Sequence, residues 1–157
     1  GGWSFFAPRQ GWQVWSLEAH HWLFFGGEGW VPQVIACSPG SAVTVHEVLE
    51  FDQDLAGPVT KTTEVIPDKA VVIGVSARVV TAIDGAATWA LGVPGSPQRY
   101  GSGFGGALNT FAEGVTGQPQ AYYGGTPIEI TAGGGAFSGG TIRIAVHYQR
   151  ITAPAPV

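Results

Sequence analysis

Turn-forming residues occur throughout this chain and separate short apolar runs. Of its 157 residues, 25 are Gly and 11 are Pro. Gly adopts backbone conformations that other residues avoid, and Pro interrupts both helices and central strands, so this density argues against long helices. Short apolar segments between frequent turns are typical of an all-β domain. The sequence therefore predicts an all-β fold.

Two segments, residues 70–82 and 141–150, alternate like long amphipathic strands. Their predicted inward-facing residues are Val71, Ile73, Val75, Ala77 and Val79 in the first and Ile142, Ile144, Val146 and Tyr148 in the second. Further strands are predicted at residues 42–51, 59–66, 88–92, 120–123 and 127–132. Residues 107–113 offer a turn or two of helix at most. Roughly eight strands predict an antiparallel β-sandwich, jelly-roll-like in topology.

Aromatic residues crowd the N-terminal part of the chain. Five of the six Trp residues lie within the first thirty positions: Trp3, Trp12, Trp15, Trp22 and Trp30. Large rings that alternate with polar residues and Gly turns suit short strands that pack their rings across strand pairs. Turn composition near Cys37 then predicts a boundary. We expect an aromatic-rich β module at residues 1–36 and a β-sandwich at residues 37–157.

The same segment carries a resemblance to a known family. The matching pattern is a Trp, an aromatic pair, a Pro, a Gly-Trp with a further Trp, and then an aromatic pair, a Gly turn and Trp-Val. Its positions are Trp3, Phe5, Phe6, Pro8, Gly11, Trp12, Trp15, Phe24, Phe25, Gly26, Trp30 and Val31. The segment resembles the end of a domain family of unknown function in tail proteins of alphaproteobacterial phages and prophages. It is also similar to a tail-fibre component of gene transfer agents.

This resemblance implies a context rather than a chemistry. A tail-tip or tail-fibre protein would be made in the bacterial cytoplasm, assembled with other tail proteins into a virion or phage-like particle, and released by lysis. The family implies no catalytic residues. Because the family domain extends upstream and the chain contains no Met, we expect the sequence to be a piece of a longer polypeptide.

Charged residues are scarce, at 11% of the chain with a net charge of −4, against about 25% in a typical soluble domain. Without a basic surface, nucleic acid is not an expected partner. No run of eighteen apolar residues occurs, so membrane insertion is not expected. A weakly charged surface suits either a subunit interface or a neutral polar ligand such as a glycan. We favour a subunit interface and expect the chain to form a homotrimer.

A long Gly- and Pro-rich connection between Trp89 and Phe111 contains the best candidates for ligand binding. Loops on a rigid sandwich commonly carry recognition residues, and an aromatic ring beside an Arg or Asn can stack on a sugar and bind its hydroxyls. The predicted ligand-binding residues are Tyr100, Arg99, Trp89, Asn109, Tyr122 and Tyr123. Tyr100 is the first choice, whereas a core position is the favoured interpretation for Trp89.

Metal and cofactor motifs are absent or incomplete. His20 and His21 are adjacent, so on a strand they point to opposite faces, and a turn before the strand around Trp22 explains them better than a metal. Residues 52–54 start like a calcium loop but lack its Gly and closing Glu, which favours a hairpin tip. The Gly pattern of residues 101–106 lacks the flanking strand and helix of a dinucleotide site and is interpreted as a flexible loop. No metal and no cofactor are predicted.

No catalytic residue is predicted either, because the Gly-x-Ser-x-Gly elbow of hydrolases is missing. Convergence of Glu113, Glu129 and Asp84 into a glycosidase pair stays open. The leading hypothesis is therefore a non-enzymatic tail protein that binds a bacterial cell-surface receptor, a polysaccharide by class. The alternatives are a structural trimerisation or adaptor module of the tail without a ligand, and a capsule-degrading glycoside hydrolase.

Overall fold

A computed structural model describes residues 2, 4–18, 21–26, 28–32 and 34–156. Its strands are β1 Gln13–Ser16, β2 His21–Phe25, β3 Trp30–Pro32, β4 Val34–Cys37, β5 Val43–Asp54, β6 Val59–Ile66, β7 Val71–Asp84, β8 Thr88–Gly92, β9 Phe104–Gly105, β10 Phe111–Ala121, β11 Thr126–Gly133 and β12 Gly139–Ile151. The chain divides into two compact units. Unit 1 contains Gly1–His46 and Ile151–Val157, and unit 2 contains Glu47–Arg150. The predicted boundary between residues 36 and 37 falls within unit 1, and as a statement about domains it stays a prediction.

In unit 1, β1, β2 and β3 form an antiparallel three-stranded sheet. Trp15 pairs with Trp22 across β1 and β2, and their rings meet edge-on with centroids 5.7 Å apart. Phe25 pairs with Trp30 across β2 and β3, with centroids 5.3 Å apart. Because Trp22 and Phe25 are three residues apart in one strand, the two aromatic pairs lie on opposite faces of the sheet. Apolar rings therefore lie on both faces.

Unit 2 is a jelly roll. Strands β5, β12, β7 and β10 are neighbours in one sheet, and β6, β11, β8 and β9 form the other. Within unit 1, β4 pairs with residues 43–45 at the start of β5. If the eight strands β5 to β12 are renumbered 1 to 8 in chain order, one sheet has the strand order 1-8-3-6 and the other has the order 2-7-4-5. This order is that of the double-sheet jelly roll. The predicted all-β sandwich with jelly-roll-like topology is confirmed.

The apolar core of unit 2 contains residues from both sheets. Its fully buried large side chains are Ile66, Val72, Val75, Val79, Trp89, Leu91, Ile128, Ile130, Ile142, Ile144 and Val146. The second predicted face is confirmed, because Ile142, Ile144 and Val146 are buried completely and Tyr148 nearly so. Alternation along a regular strand is thus sufficient to identify β12 and its inward face.

The predicted inward face of β7 is wrong in its first part. Val75, Ala77 and Val79 are buried, but Val71 and Ile73 are only partly buried and Val72 is completely buried instead. The register against β12 shifts here, because His147 pairs with Gly74 whereas Tyr148 pairs with Val72. A β-bulge adds one unpaired residue and exchanges the two faces beyond it.

Strand β10 was only partly predicted. It spans eleven residues and pairs with β7, whereas the sequence predicts a helical turn ending at Glu113 and a strand beginning at Gln120. Gly114, Gly117 and Pro119 interrupt the apolar pattern of this segment. Pairing with β7 supplies the order that the local sequence does not specify.

Three smaller interpretations are also corrected or limited. Asp52 and Asp54 lie inside β5, not at a hairpin tip, and bind Arg143 and Thr141 of β12. The Gly-rich segment predicted to be a flexible loop contains β9, which pairs with β8. His21 begins β2, whereas His20 lies outside the described residues.

Candidate functional site

An open groove of about 580 Å³ lies at one end of unit 2. Segments distant in sequence form its two walls: the connection after β8, and the end of β10 with the turn into β11. The lining residues are Val93, Pro94, Gly95, Ser96, Arg99, Gln120, Tyr122, Gly125, Thr126 and Pro127. Its size is within the range of small-molecule sites. The groove is the candidate functional site.

The first wall is held by a tight turn that folds back on β8. Val93 and Ser96 exchange backbone hydrogen bonds of 3.1 and 2.8 Å. The chain then returns alongside β8, where the Tyr100 amide donates to the Leu91 carbonyl and the Leu91 amide donates to the Gly101 carbonyl, both at 2.9 Å. Because these bonds fix the backbone on both sides of Arg99, the position of its Cα is determined by β8.

The second wall is anchored to the residues that precede β7. The Lys69 amide donates to the Tyr122 carbonyl at 2.7 Å, and the Tyr122 amide donates to the Ala70 carbonyl at 3.0 Å. One carboxylate oxygen of Asp68 accepts a hydrogen bond of 2.7 Å from the Gly124 amide. These bonds fix the segment that presents Gln120 and Thr126 to the groove.

Two tyrosines connect the groove to the core. Tyr122 lines the groove but is only 6% exposed, and its hydroxyl lies 3.0 Å from the Tyr100 hydroxyl in the buried interior. Burial, followed by the hydrogen bond with Tyr122, raises the pKa of Tyr100 far above its usual value. The Tyr100 hydroxyl is therefore a neutral hydrogen-bonding group at neutral pH. Tyr100 supports the groove from behind instead of lining it.

Arg99 is partly buried at the groove wall. Its Nη2 donates to the Gln118 carbonyl at 3.3 Å, while its Nε is buried and has no hydrogen-bond partner among the described residues. The Arg99 side chain also lies close enough to the Tyr100 hydroxyl to lower the pKa of that hydroxyl slightly against the larger effect of burial. The groove therefore has a positively charged side, and one buried donor there has no partner.

Neutral polar groups complete the lining. The side chains of Ser96, Gln120 and Thr126 make no hydrogen bond to any described residue. They supply two hydroxyls and one amide, which can donate and accept. Beside the edge of Tyr122, this arrangement can bind a polar ligand rich in hydroxyl groups.

The structure brings two of the predicted ligand-binding residues, Arg99 and Tyr122, together in the groove. Trp89 is a core residue at 1% exposure, with its ring 4.7 Å from that of Phe104 and its Nε1 donating to the Gly105 carbonyl. Asn109 has a positive φ of 68° in the turn before β10, and its carbonyl accepts a hydrogen bond from Arg78. Asn109 and Tyr123 do not line the groove. A ligand-binding role for the six residues stays a prediction.

Ser96, Gln120 and Thr126 were not predicted as site residues. Each is an ordinary polar residue next to a Pro or Gly, and nothing local distinguishes it from a solvent-exposed turn residue. They become neighbours because the connection after β8 and the turn after β10 reach the same end of the sandwich. Their selection requires the tertiary fold.

The three acids considered for glycosidase chemistry lie on different strands. Glu113 is on β10 and Asp84 ends β7, while Glu129 is on β11 in the other sheet. Glu129 is nearly buried and its carboxylate lies 3.1 Å from Lys61 Nζ.

Across the described residues, no cluster of three His, Cys, Asp or Glu residues is arranged to hold a metal. Nor does this part of the chain contain a helix with the length and hydropathy of a membrane span.

No family model matches the chain, and no curated protein matches it. Solved structures that are similar to it include the following two. One is a chain of the cyanophage Pam1 capsid asymmetric unit, at 22% identity and a TM-score of 0.45, covering 74% of this chain and 94% of that chain. The other belongs to the disulfide-linked pili of Bacillus endospore appendages, at 14% identity and a TM-score of 0.28, covering 74% of this chain and 96% of that chain.

Both TM-scores are low, so neither similarity assigns a function to this chain. The phage-like context that the resemblance of residues 3–32 implies therefore stays a prediction. Neither structure is a tail fibre or a gene transfer agent component. The tail-fibre part of the resemblance stays a prediction.

Proposed function

We propose that this chain is a structural protein of a phage-like particle and that its jelly roll binds a bacterial cell-surface polysaccharide in the groove. The observation that carries the binding proposal is the set of unpartnered polar side chains beside Tyr122 and Arg99. Sugars are recognised by such neutral donors and acceptors together with an aromatic surface. Jelly rolls occur in viral capsid and lectin domains, which is a fold-level analogy only.

The particle context has a separate basis. It rests on the resemblance of residues 3–32 to tail-associated domains, which implies assembly with other tail proteins and release by lysis. The two parts of the proposal are therefore independent, and each needs its own test.

Removal of two groove hydroxyls is expected to weaken saccharide binding. In the double variant Ser96→Ala/Thr126→Ala, each lost hydrogen bond costs about 0.5–1.5 kcal/mol, so the affinity is expected to fall by about 5- to 150-fold. The measurement is binding of the purified chain to host cells and to their isolated surface polysaccharide. Both side chains are at the surface and lack partners, so the fold is expected to remain intact.

Tyr123→Ala is the matched control for this variant. Tyr123 is 79% exposed and adjacent to Tyr122, but it does not line the groove. Its replacement is expected to leave the affinity unchanged. Binding that depends on Tyr123 but not on Ser96 and Thr126 would contradict the groove as the site. A chain that binds no polysaccharide of any host envelope would contradict the proposed function itself.

A purely structural role is a second candidate, favoured by the three-stranded sheet of unit 1. Trp15, Trp22 and Trp30 are 44%, 45% and 40% exposed, and they lie on both faces of that sheet. Exposed aromatic rings are typical of surfaces that pack against another protein. An adaptor or trimerisation module would need no ligand in the groove.

Oligomerisation is expected under both candidates. The chain is expected to sediment as a trimer at micromolar concentration, because its scarce charges and exposed apolar residues favour association. Analytical ultracentrifugation over a concentration series is the measurement. A monomer across that series would contradict the trimer, whereas saccharide binding in the groove would still have its own test.

The hydrolase alternative has a separate test. Release of oligosaccharides from host capsule by the purified chain would favour it.

A further inference from the structure

Most basic side chains of this chain are paired with carboxylates. Of the seven Lys and Arg residues, four form ion pairs, and the Nζ or guanidinium nitrogen lies 2.5–3.9 Å from a carboxylate oxygen. Arg99 is different. No carboxylate of a described residue lies within ion-pairing distance of its guanidinium, although it is partly buried. The four paired cations are exposed to solvent, whereas Arg99 is more buried and its charge has no carboxylate partner.

The donors of Arg99 are also incompletely used. One Nη2–H bonds to the Gln118 carbonyl, and the buried Nε–H has no acceptor. Arg99 lines the groove and is only partly buried, so part of its side chain is open to the groove. Its guanidinium can therefore donate to a ligand, and Arg typically binds planar or tetrahedral oxyanions through two parallel N–H groups.

Nothing acidic opposes an anion in the groove. None of its ten lining residues is Asp or Glu. The carboxylate of Asp68, which anchors the second wall, accepts a hydrogen bond from the Gly124 amide and lies 3.9 Å from Lys69 Nζ. The remaining lining residues are uncharged, and Ser96, Gln120 and Thr126 among them are further donors. An anionic group on a hydroxyl-rich ligand thus has one charged partner and several neutral ones.

We propose that the groove binds an anionic sugar residue, whose carboxylate or phosphate oxygens accept hydrogen bonds from the Arg99 guanidinium while its hydroxyls bind Ser96, Gln120 and Thr126. This inference rests on the proposed saccharide-binding function and narrows the ligand to acidic polysaccharides. Arg99 is the specificity-determining residue in this assignment, and Tyr100 and Tyr122 are positioning residues.

The experiment compares matched probes by isothermal titration calorimetry. The probes are oligosaccharides of polyglucuronic acid, the same oligosaccharides after reduction of their carboxyl groups, and glucose 1-phosphate. Selective binding of the first or the third identifies a carboxylate or a phosphate as the anion. The affinity is expected to fall with increasing salt, because a charged contact at the surface is screened.

Arg99→Gln is expected to weaken binding of the acidic probe by about 10- to 100-fold, as the loss of a hydrogen bond to a charged group requires. Arg99→Lys keeps the charge but loses the two parallel N–H groups of the guanidinium, so its affinity for the acidic probe is expected to be intermediate. Arg9→Gln removes the same charge in unit 1 and is expected to bind normally. Circular dichroism checks that each variant is folded. If Arg99→Gln is not folded, the comparison of affinities uses Arg99→Lys instead.

The outcomes separate this inference from the proposed function. Equal binding of the acidic and the carboxyl-reduced oligosaccharides, or an unchanged affinity in Arg99→Gln, would overturn the anionic ligand and leave a neutral saccharide in the groove. Loss of binding to every saccharide probe and to host polysaccharide would overturn both.

Discussion

Trp89→Ala is expected to lower the free energy of unfolding of the jelly roll by about 3–5 kcal/mol, as truncation of a buried Trp usually does. Trp89 is 1% exposed, packs against Phe104 and donates from Nε1 to the Gly105 carbonyl at 2.8 Å. The loss is a large part of the total stability of a typical domain. Urea denaturation followed by circular dichroism is the measurement, because the other five Trp residues lie in unit 1 and dominate the fluorescence.

Trp89→Phe is the graded control. It keeps an aromatic ring against Phe104 but loses the hydrogen bond to Gly105, so we expect a smaller loss of stability than in Trp89→Ala. If Trp89→Ala retained full stability and lost saccharide binding, Trp89 would be a ligand contact and not a core residue. That result would also contradict the described position of β8.

Gly92→Ala is expected to cost about 3 kcal/mol or more, at the upper end of the effects of overpacking. Gly92 ends β8, and a Cβ at this position would overlap the Ser96 carbonyl and the backbone of Pro97. These atoms belong to the turn that forms the first wall of the groove, and a backbone cannot move aside as a flexible side chain can. The variant is therefore expected to lose both stability and saccharide binding.

Gly105→Ala is the matched control in the neighbouring strand. Gly105 is part of β9, has no positive φ, and a Cβ there would meet nothing within 4 Å. A tolerated Gly→Ala change leaves stability unchanged or raises it by about 0.4–1 kcal/mol through the unfolded state. Thermal and urea denaturation of both variants give the comparison. Equal stability of Gly92→Ala and Gly105→Ala would contradict the close approach of the turn to β8.

The sequence predicts the regular strands correctly, but it does not predict the irregular ones. Both β6 and β8 begin and end where the sequence predicts, and β12 has its predicted inward face. The face of β7 was wrong before Gly74, because a bulge depends on the neighbouring strand and leaves no mark in alternation. Strand β10 contains two Gly residues and a Pro, and it is a strand because it pairs with β7.

Tyr100 shows why the residues of the groove could not all be predicted from the sequence. An aromatic residue in a Gly- and Pro-rich connection is a reasonable ligand candidate, since such connections are usually exposed. In the structure the connection folds back on β8 and buries Tyr100 against the Tyr122 hydroxyl. Arg99, its neighbour in sequence, lines the groove instead. The path of the backbone decides which of these two neighbours meets the solvent.

By itself, the sequence determined the fold class of this protein. The frequency of Gly and Pro and the alternation of apolar residues are local properties, and they are sufficient to specify short antiparallel strands with one buried face each. The tertiary structure alone decided the groove. Its walls are separated by more than twenty residues in the chain, and they meet only because the jelly roll brings the connection after β8 and the turn after β10 to the same end of the sandwich.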